Sequence, residues 1–222
     1  HCESVAVSFL HAYAHPDNER RAAAVLREEL SVPVSAGHEV LAEFREYERT
    51  ATTVADAYVT PVVDDYLARL DERAAELGVP PVRVMQSNGG IADAETVRER
   101  AVTTLLSGPA AGVVGAARLE RSDHAGLVTF DMGGTSSDVS LVRDGSAERT
   151  TDAEIAGHPV GVPMVDVHTV GAGGGSIARV DEGGALRVGP ESAGAEPGPA
   201  CYGKGGDEPT VTDAAVVLGY LG

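Results

Sequence analysis

Two apolar-alternating runs, GLVTFDM (126–132) and DVSLV (138–142), flank the turn-like stretch GGTSS (133–137). A period of two on both sides of a Gly-Gly pair reads as two strands joined by a tight turn. An ordinary hairpin is satisfied by one or two turn residues. This one adds an acid at the end of the first strand, two glycines, three successive hydroxyl residues and a second acid.

Three phosphate-binding templates bear on that surplus. The dinucleotide fingerprint requires a helix after its glycines, whereas a strand follows here. The P-loop pattern is approached by GPACYGKG (198–205). No strand precedes it, Pro199 lies inside it, and Gly205 stands where a metal-binding hydroxyl is needed. The third template is a hairpin whose turn wraps a phosphate chain. Gly133 and Gly134 let the backbone come close, so that neighbouring N–H groups can point at phosphate oxygens. Thr135, Ser136 and Ser137 add hydroxyl donors. Asp131 would repel a bare phosphate, but makes sense holding Mg²⁺, through water, since that ion keeps much of its hydration shell. Asp138 is a second catalytic candidate. The hairpin therefore reads as a phosphate grip, with a plain turn as the alternative.

At 222 residues the chain can bury a real core, and 43% hydrophobic content is that of a globular protein. The net charge is −17, with a single lysine, Lys204, among seventeen basic residues. Such a surface offers no basic patch to nucleic acid or an anionic membrane. It suits a salt-rich cytoplasm, or reflects Arg-, Ala- and Asp-rich coding. No run approaches the roughly 18 apolar residues of a membrane span. Cys2 and Cys201 are too few and too far apart for a disulfide framework, in keeping with a reduced, cytoplasmic setting. The start at His1 and the barely begun helix near Gly222 read as a segment of a longer polypeptide.

Along the chain, SVAVSFL (4–10) reads as a buried strand, followed by a helix to about Leu30 capped by Asp17 or Asn18. VPVSAGHEV (32–40) reads as a short strand and loop. A long helix begins near Glu43. Val54, Tyr58, Val62, Tyr66, Leu70 and Leu77 form an apolar stripe on it, expected in the core, and Pro61 is expected to kink or split it. VRVMQSNGG (82–90) is a strand running into a turn, and 96–100 a short helix. LLSGPAAGVVGAARLE (105–120) is a turn and a small-residue helix led by Pro109. Residues 157–206 are rich in Gly and Pro, and are expected to be ordered but loop-rich. Thr212 or Asp213 caps a last helix.

The small-residue helix before a phosphate hairpin resembles the actin-like ATPase superfamily. A more specific resemblance runs from Cys2 to Ala214. CESVAVSFLHAYAHP, EFREYERTATTVADAYV, MQSNGG, LSGPAAGVVGA, FDMGGTSSDVSLV, HTVGAGGGSIA, VGPESAGAEPGPACYGKGG and TVTDA are together similar to the A subunit of the hydantoinase/oxoprolinase family. The resemblance implies an α/β, actin-like (ribonuclease H-like) fold, of which this chain holds the second phosphate hairpin. Residues 1–40 would end an N-terminal domain, and 41–222 would belong to the hydantoinase A/oxoprolinase domain. It implies ATP and Mg²⁺, and ATP-dependent opening of a cyclic amide such as a hydantoin or 5-oxoproline, with the amide oxygen activated by phosphorylation. Activation of a ketone for carboxylation is the alternative. A non-catalytic nucleotide-binding subunit is a third. It implies a hydantoinase B-type partner in a hetero-oligomer. Asp131, Gly133, Gly134 and Thr135 then fall on the second phosphate motif.

Other candidates are open. In GAGGGS (171–176), Gly173, Gly174 and Gly175 either approach the phosphates or pack backbone on backbone. Asp166 and His168 alternate on an expected strand and could reach a metal or move a proton, with a hydrogen-bonded structural His168 as the alternative. Asn88, Gly89 and Gly90 line a cleft or form a capped turn. Arg45, Glu46 and Glu48 read as a solvated helix face. Cys201 lacks a histidine partner, which favours a structural role.

Overall fold

The computed structural model describes residues 2–119 and 126–222. Its elements run β1 (Val5–Val7), α1 (Asp17–Glu29), β2 (Val34–Ala36), α2 (Gly37–Val40), α3 (Glu46–Glu76), β3 (Arg83–Met85), β4 (Ile91–Asp93), α4 (Ala94–Glu99), a 3₁₀ turn (Ala101–Thr104) and α5 (Ser107–Leu119). They continue with β5 (Gly126–Met132), β6 (Ser137–Arg143), β7 (Ser146–Ala147), β8 (Arg149–Thr150), β9 (Ala153–Ile155), β10 (His158–Val160), β11 (Met164–Val165), β12 (His168–Val170), β13 (Ser176–Val180), β14 (Leu186–Ser192) and α6 (Val211–Val217). Glu120, the end of the helix expected over 105–120, lies outside the described residues. The mixed α/β chain divides into two compact units, His1–Val114 with Glu148–Asp166, and Gly115–Ala147 with Val167–Gly222. Among the described residues no helix is long and apolar enough to cross a membrane.

In the first unit β1 and β2 pair in parallel, and α1 is the crossover between them. Ala23 and Leu26 of α1 pack on Val7, Val34 and Ala36. The helix starts at Asp17 after Pro16, so Asp17 lies in the first turn, where it favours the helix dipole, rather than capping it. The buried Glu19 carboxylate ties the surrounding loops together. It accepts from the amides of Phe9 and His38, both at 2.6 Å, and contacts His38 Nδ1 at 2.8 Å.

α3 departs from expectation twice. It runs unbroken for 31 residues with Pro61 inside it. The missing amide removes one helix bond, while α3 packs on β1, β2, β10 and the 3₁₀ turn, and beyond Pro61 Leu67 packs against Ala94 and Val97 of α4. Most of the apolar stripe also faces outward: Tyr58 is 81% and Val62 73% exposed, and Val54, Tyr66 and Leu77 are exposed too, whereas Leu70 packs against the core residues Leu67, Ala94 and Val97 as expected. The buried side carries Thr52, Thr53, Asp56, Ala57, Thr60 and Leu67. Its polar groups are satisfied locally. Thr52, Thr53 and Thr60 donate to the carbonyls of Glu48, Arg49 and Asp56, and the Gly161 amide donates to Thr52 Oγ1. Asp56 accepts from Ser35 Oγ at 2.6 Å and the Val102 amide at 2.9 Å. Burial pushes its carboxyl above the ordinary range, against those two bonds.

β3 and β4 enclose the 86–90 turn, which is bonded throughout. Gly90 donates to Asn88 Oδ1, Gly89 to the Gln86 carbonyl, and Arg149 Nε to the Asn88 carbonyl. The capped-turn reading of Asn88, Gly89 and Gly90 describes this geometry. α4 begins at Ala94, two residues before the expected start, because Asp93 caps it by accepting from the Thr96 amide.

In the second unit β12, β6 and β5 form an antiparallel sheet in that order, with β7 also on β6. β13 and β14 form a separate pair. α6 is capped by Thr210, earlier than expected, through a reciprocal box with Asp213. The Gly- and Pro-rich 157–206 region carries β10–β14 among its loops.

Candidate functional site

The β5–β6 ladder runs from Gly126↔Arg143 to Met132↔Ser137 without a slip. That register leaves residues 133–136 as the turn, closed by the Gly133 amide on the Ser136 carbonyl at 2.9 Å. It also sets Asp131 directly opposite Asp138. On β12, Thr169 stands opposite Asp138 and donates its Oγ1 to Asp138 Oδ1 at 2.7 Å. Directly opposed residues share a sheet face, so Asp131, Asp138 and Thr169 form one row beside the turn. Among the described residues neither carboxylate has a basic partner. Two like charges side by side cost stability, which is the arrangement a bound cation would relieve.

His168 pairs with Val139, which pairs with Phe130. It therefore lies on the opposite face of the sheet from Asp131. Asp166 is not on β12. It follows β11, belongs to the first unit, and its amide donates to the Glu148 carbonyl. The alternation of Asp166 and His168 on one strand is not realised, and among the described residues no three His, Cys, Asp or Glu groups stand where they could hold a metal ion.

The glycine run is bound to the turn. Gly174 donates to the Gly133 carbonyl at 2.9 Å and Gly175 to the Gly134 carbonyl at 2.6 Å. Gly173 donates to Ser176 Oγ at 2.9 Å. The contact is too close for side chains: a Cβ on Gly173 would lie 2.6 Å from Ser136 N and 2.7 Å from Gly133 O. The three amides considered for phosphate binding are thus engaged within the protein, at a close approach of backbone to backbone. Ser137, read as a phosphate donor, is buried and donates to the Ala172 carbonyl instead. Gly133, Gly134 and Thr135 stay exposed. Among the described residues the amides of Gly134 and Thr135 find no acceptor.

Behind the run, Asp213 ties the 200–202 turn to the start of α6. It accepts from the Cys201 amide at 2.7 Å, the Thr210 amide at 2.8 Å and Thr210 Oγ1 at 2.7 Å. Desolvation opposes its charge, but the bonds from Thr210 and Cys201 prevail and hold the carboxyl well below the ordinary range. The same carboxylate, hydrogen-bonded to the Cys201 thiol, pushes that thiol up. A thiol kept protonated is a poor nucleophile, which agrees with a structural role for Cys201. Thr169, Thr212 and Asp213 are not among the site candidates of the sequence, which reads Thr212 or Asp213 only as a helix cap; the Thr-x-x-Asp spacing of a capping box is the local signal for Asp213.

The chain is thus a mixed α/β protein built around a glycine hairpin with paired carboxylates, and it belongs to the hydantoinase/oxoprolinase family, which matches residues 49–222. It is 49% identical to the caprolactamase alpha subunit of Pseudomonas jessenii over 99% of its own length and 32% of that subunit's. The crystal structure of the ATP-dependent caprolactamase from that organism superposes with a TM-score of 0.79 at 47% identity, again over 99% and 32% of the two chains. A 5-oxoprolinase of Saccharomyces cerevisiae is 41% identical over 99% of this chain and 17% of its own. A nucleotide-free acetone carboxylase superposes with a TM-score of 0.76 at 33% identity, over 99% and 32%. The chain therefore spans a third or less of the length of these relatives.

Proposed function

We propose that this chain supplies the second phosphate hairpin of an actin-like, ATP-dependent hydrolase that opens a cyclic amide, a lactam or hydantoin. The observation that carries the reading is the in-register pair of Asp131 and Asp138 beside the exposed residues 133–135. These residues fit a magnesium-bound phosphate. Asp131 would hold Mg²⁺ through water, with Asp138 oriented beside it by Thr169. The turn amides of Gly134 and Thr135 and the hydroxyls of Thr135 and Ser136 would receive phosphate oxygens. The ion would supply charge neutralisation for phosphoryl transfer, which rests on positioning and electrostatics. A neutral cyclic amide resists water, and phosphorylating its oxygen makes ring opening feasible. Residues 1–40 would close an N-terminal domain and 41–222 form part of the next. A B-type subunit would complete a cytoplasmic hetero-oligomer.

The likeness to acetone carboxylase over the same 99% of the chain favours a second reading, in which ATP activates a ketone for carboxylation. One assay separates the two. Phosphate release from Mg-ATP is followed in the full-length protein co-expressed with its partner, with caprolactam, hydantoin, 5-oxoproline, or acetone plus bicarbonate. Stimulation by a cyclic amide, lost in Asp131→Ala, is expected. Stimulation by the ketone alone selects the second reading. Full turnover in Asp131→Ala removes the hairpin from the site.

A further inference from the structure

We infer that the glycine run and Thr212 are positioning elements that aim the hairpin's amides, an inference that rests on the proposed phosphate-binding role. The run is a middle layer. Towards the turn, Gly174 and Gly175 donate to the carbonyls of Gly133 and Gly134, and Ser137 Oγ donates back to the Ala172 carbonyl. On its other side, the carbonyls of Gly174 and Gly175 accept from the amides of Thr212 and Ala193, both at 2.8 Å. The turn is thereby anchored through the run to the start of α6.

The consequence follows from the peptide group. In a trans peptide the C=O of one residue and the N–H of the next lie in one plane and point opposite ways. With the Gly133 and Gly134 carbonyls drawn into the run, the N–H groups of Gly134 and Thr135 must point away from it. Both belong to exposed residues, and neither finds an acceptor among the described residues. The run thus fixes, before any ligand arrives, the direction of two donors suited to a phosphate oxygen, and preorganised donors of this kind cost no reorganisation on binding.

Each glycine meets a different obstacle. A Cβ on Gly173 would strike backbone atoms of the turn, and one on Gly175 would lie 2.9 Å from Gly134 O. A Cβ on Gly174 would lie 2.6 Å from Thr212 Oγ1, yet 3.6 Å from Gly133 O and 4.0 Å from Thr212 Cβ. Its clash is with one hydroxyl that can be removed, so a second substitution can relieve it.

The test uses the full-length protein with its partner and reads hydrogen exchange and steady-state kinetics together. In the nucleotide-free protein the amides of Gly174 and Gly175 should exchange slowly and those of Gly134 and Thr135 fast. Mg-ADP should slow the second pair only. Gly174→Ala should accelerate exchange at Gly175 and raise KM for Mg-ATP by about tenfold, as an overpacked contact does, with kcat much less changed. Adding Thr212→Ala should restore both. Fast exchange at residues 174 and 175 that Mg-ADP slows would make the run a phosphate ligand and overturn the inference. So would an unchanged KM despite faster exchange, or a double variant no better than Gly174→Ala. Absence of any Mg-ADP effect on the turn, with residues 174 and 175 protected as expected, would instead sink the phosphate-binding reading itself. The wild-type exchange pattern decides even if Gly174→Ala does not fold.

Discussion

Replacing Asp131 by Asn should stabilise the nucleotide-free protein and weaken its response to nucleotide. Asp131 and Asp138 are directly opposed on adjacent antiparallel strands, a relation that sets side-chain origins about 5 Å apart. At that distance two unit charges repel by about 0.8 kcal/mol in bulk water, and by more where the protein displaces solvent. Removing one charge should therefore add about 0.5–1 kcal/mol to the hairpin unit, a rise of about 2–8 °C in its melting temperature. Thr169 still holds Asp138, so the strand pairing is kept. With Mg-ATP at a hundred times its dissociation constant the parent should gain about 2.7 kcal/mol, and a variant without the carboxylate proposed to hold Mg²⁺ should gain far less. The order of stability should thus reverse between EDTA and saturating Mg-ATP, as calorimetry of the full-length protein would read directly. A variant less stable than the parent in EDTA, or one retaining the full Mg-ATP increment, would refute the argument.

Asp56 gives a prediction in the first unit. Its carboxyl is raised by burial, so the stability it contributes is greatest at low pH and is lost as pH rises from the ordinary carboxylate value through the raised one. Asp56→Asn should remove that dependence and lie within about 1 kcal/mol of the parent at pH 7, while Asp56→Ala, which strands the Ser35 hydroxyl and the Val102 amide, should lose about 2–5 kcal/mol in denaturant titration. Asp213 has the opposite sign. Its lowered carboxyl contributes stability in full above about pH 4, lost as pH falls, so Asp213→Asn should be destabilised at pH 7 and lose less than the parent between pH 4 and 2. On α3, Tyr58→Ser and Val62→Ser should each change the unfolding free energy of this chain by about 0.5 kcal/mol or less, whereas Leu67→Ala on the buried side should cost about 2–5 kcal/mol.

The hairpin was legible because its information is local. The period of two, the Gly-Gly pair and the flanking acids all lie within about a dozen residues, and the observed register agrees with them. Other features were illegible for a shared reason, that the deciding partner is distant in sequence. The α3 stripe announces an apolar face without saying which way it points. What turned Thr52 and Asp56 inward is a set of partners at Ser35, Val102 and Gly161. His168 and Asp166 alternate in sequence, but the strand begins only at His168. Thr210 rather than Thr212 caps α6 because Asp213, three residues on, returns the bond.

GAGGGS could not be decided by itself, since the same composition suits a phosphate cradle and a close backbone contact. It begins 35 positions after the end of the turn it touches, and only the fold shows that its amides are already engaged. This changes what its glycines are for. A cradle that used their amides for phosphate would be damaged similarly by alanine at any of the three. A positioning layer predicts an order set by the atoms each new Cβ meets. Alanine at Gly173 would press on Ser136 N, Gly133 O and the Thr135 carbonyl carbon, none of which can move without dismantling the turn. At Gly175 it would crowd Gly134 O, the carbonyl whose direction sets the Thr135 amide. At Gly174 it meets one hydroxyl at 2.6 Å, with no backbone atom nearer than Gly133 O at 3.6 Å. Loss of Mg-ATP affinity should therefore rank Gly173→Ala above Gly175→Ala above Gly174→Ala, measured as KM in the assembled enzyme. Equal losses at all three would point back to direct phosphate contact.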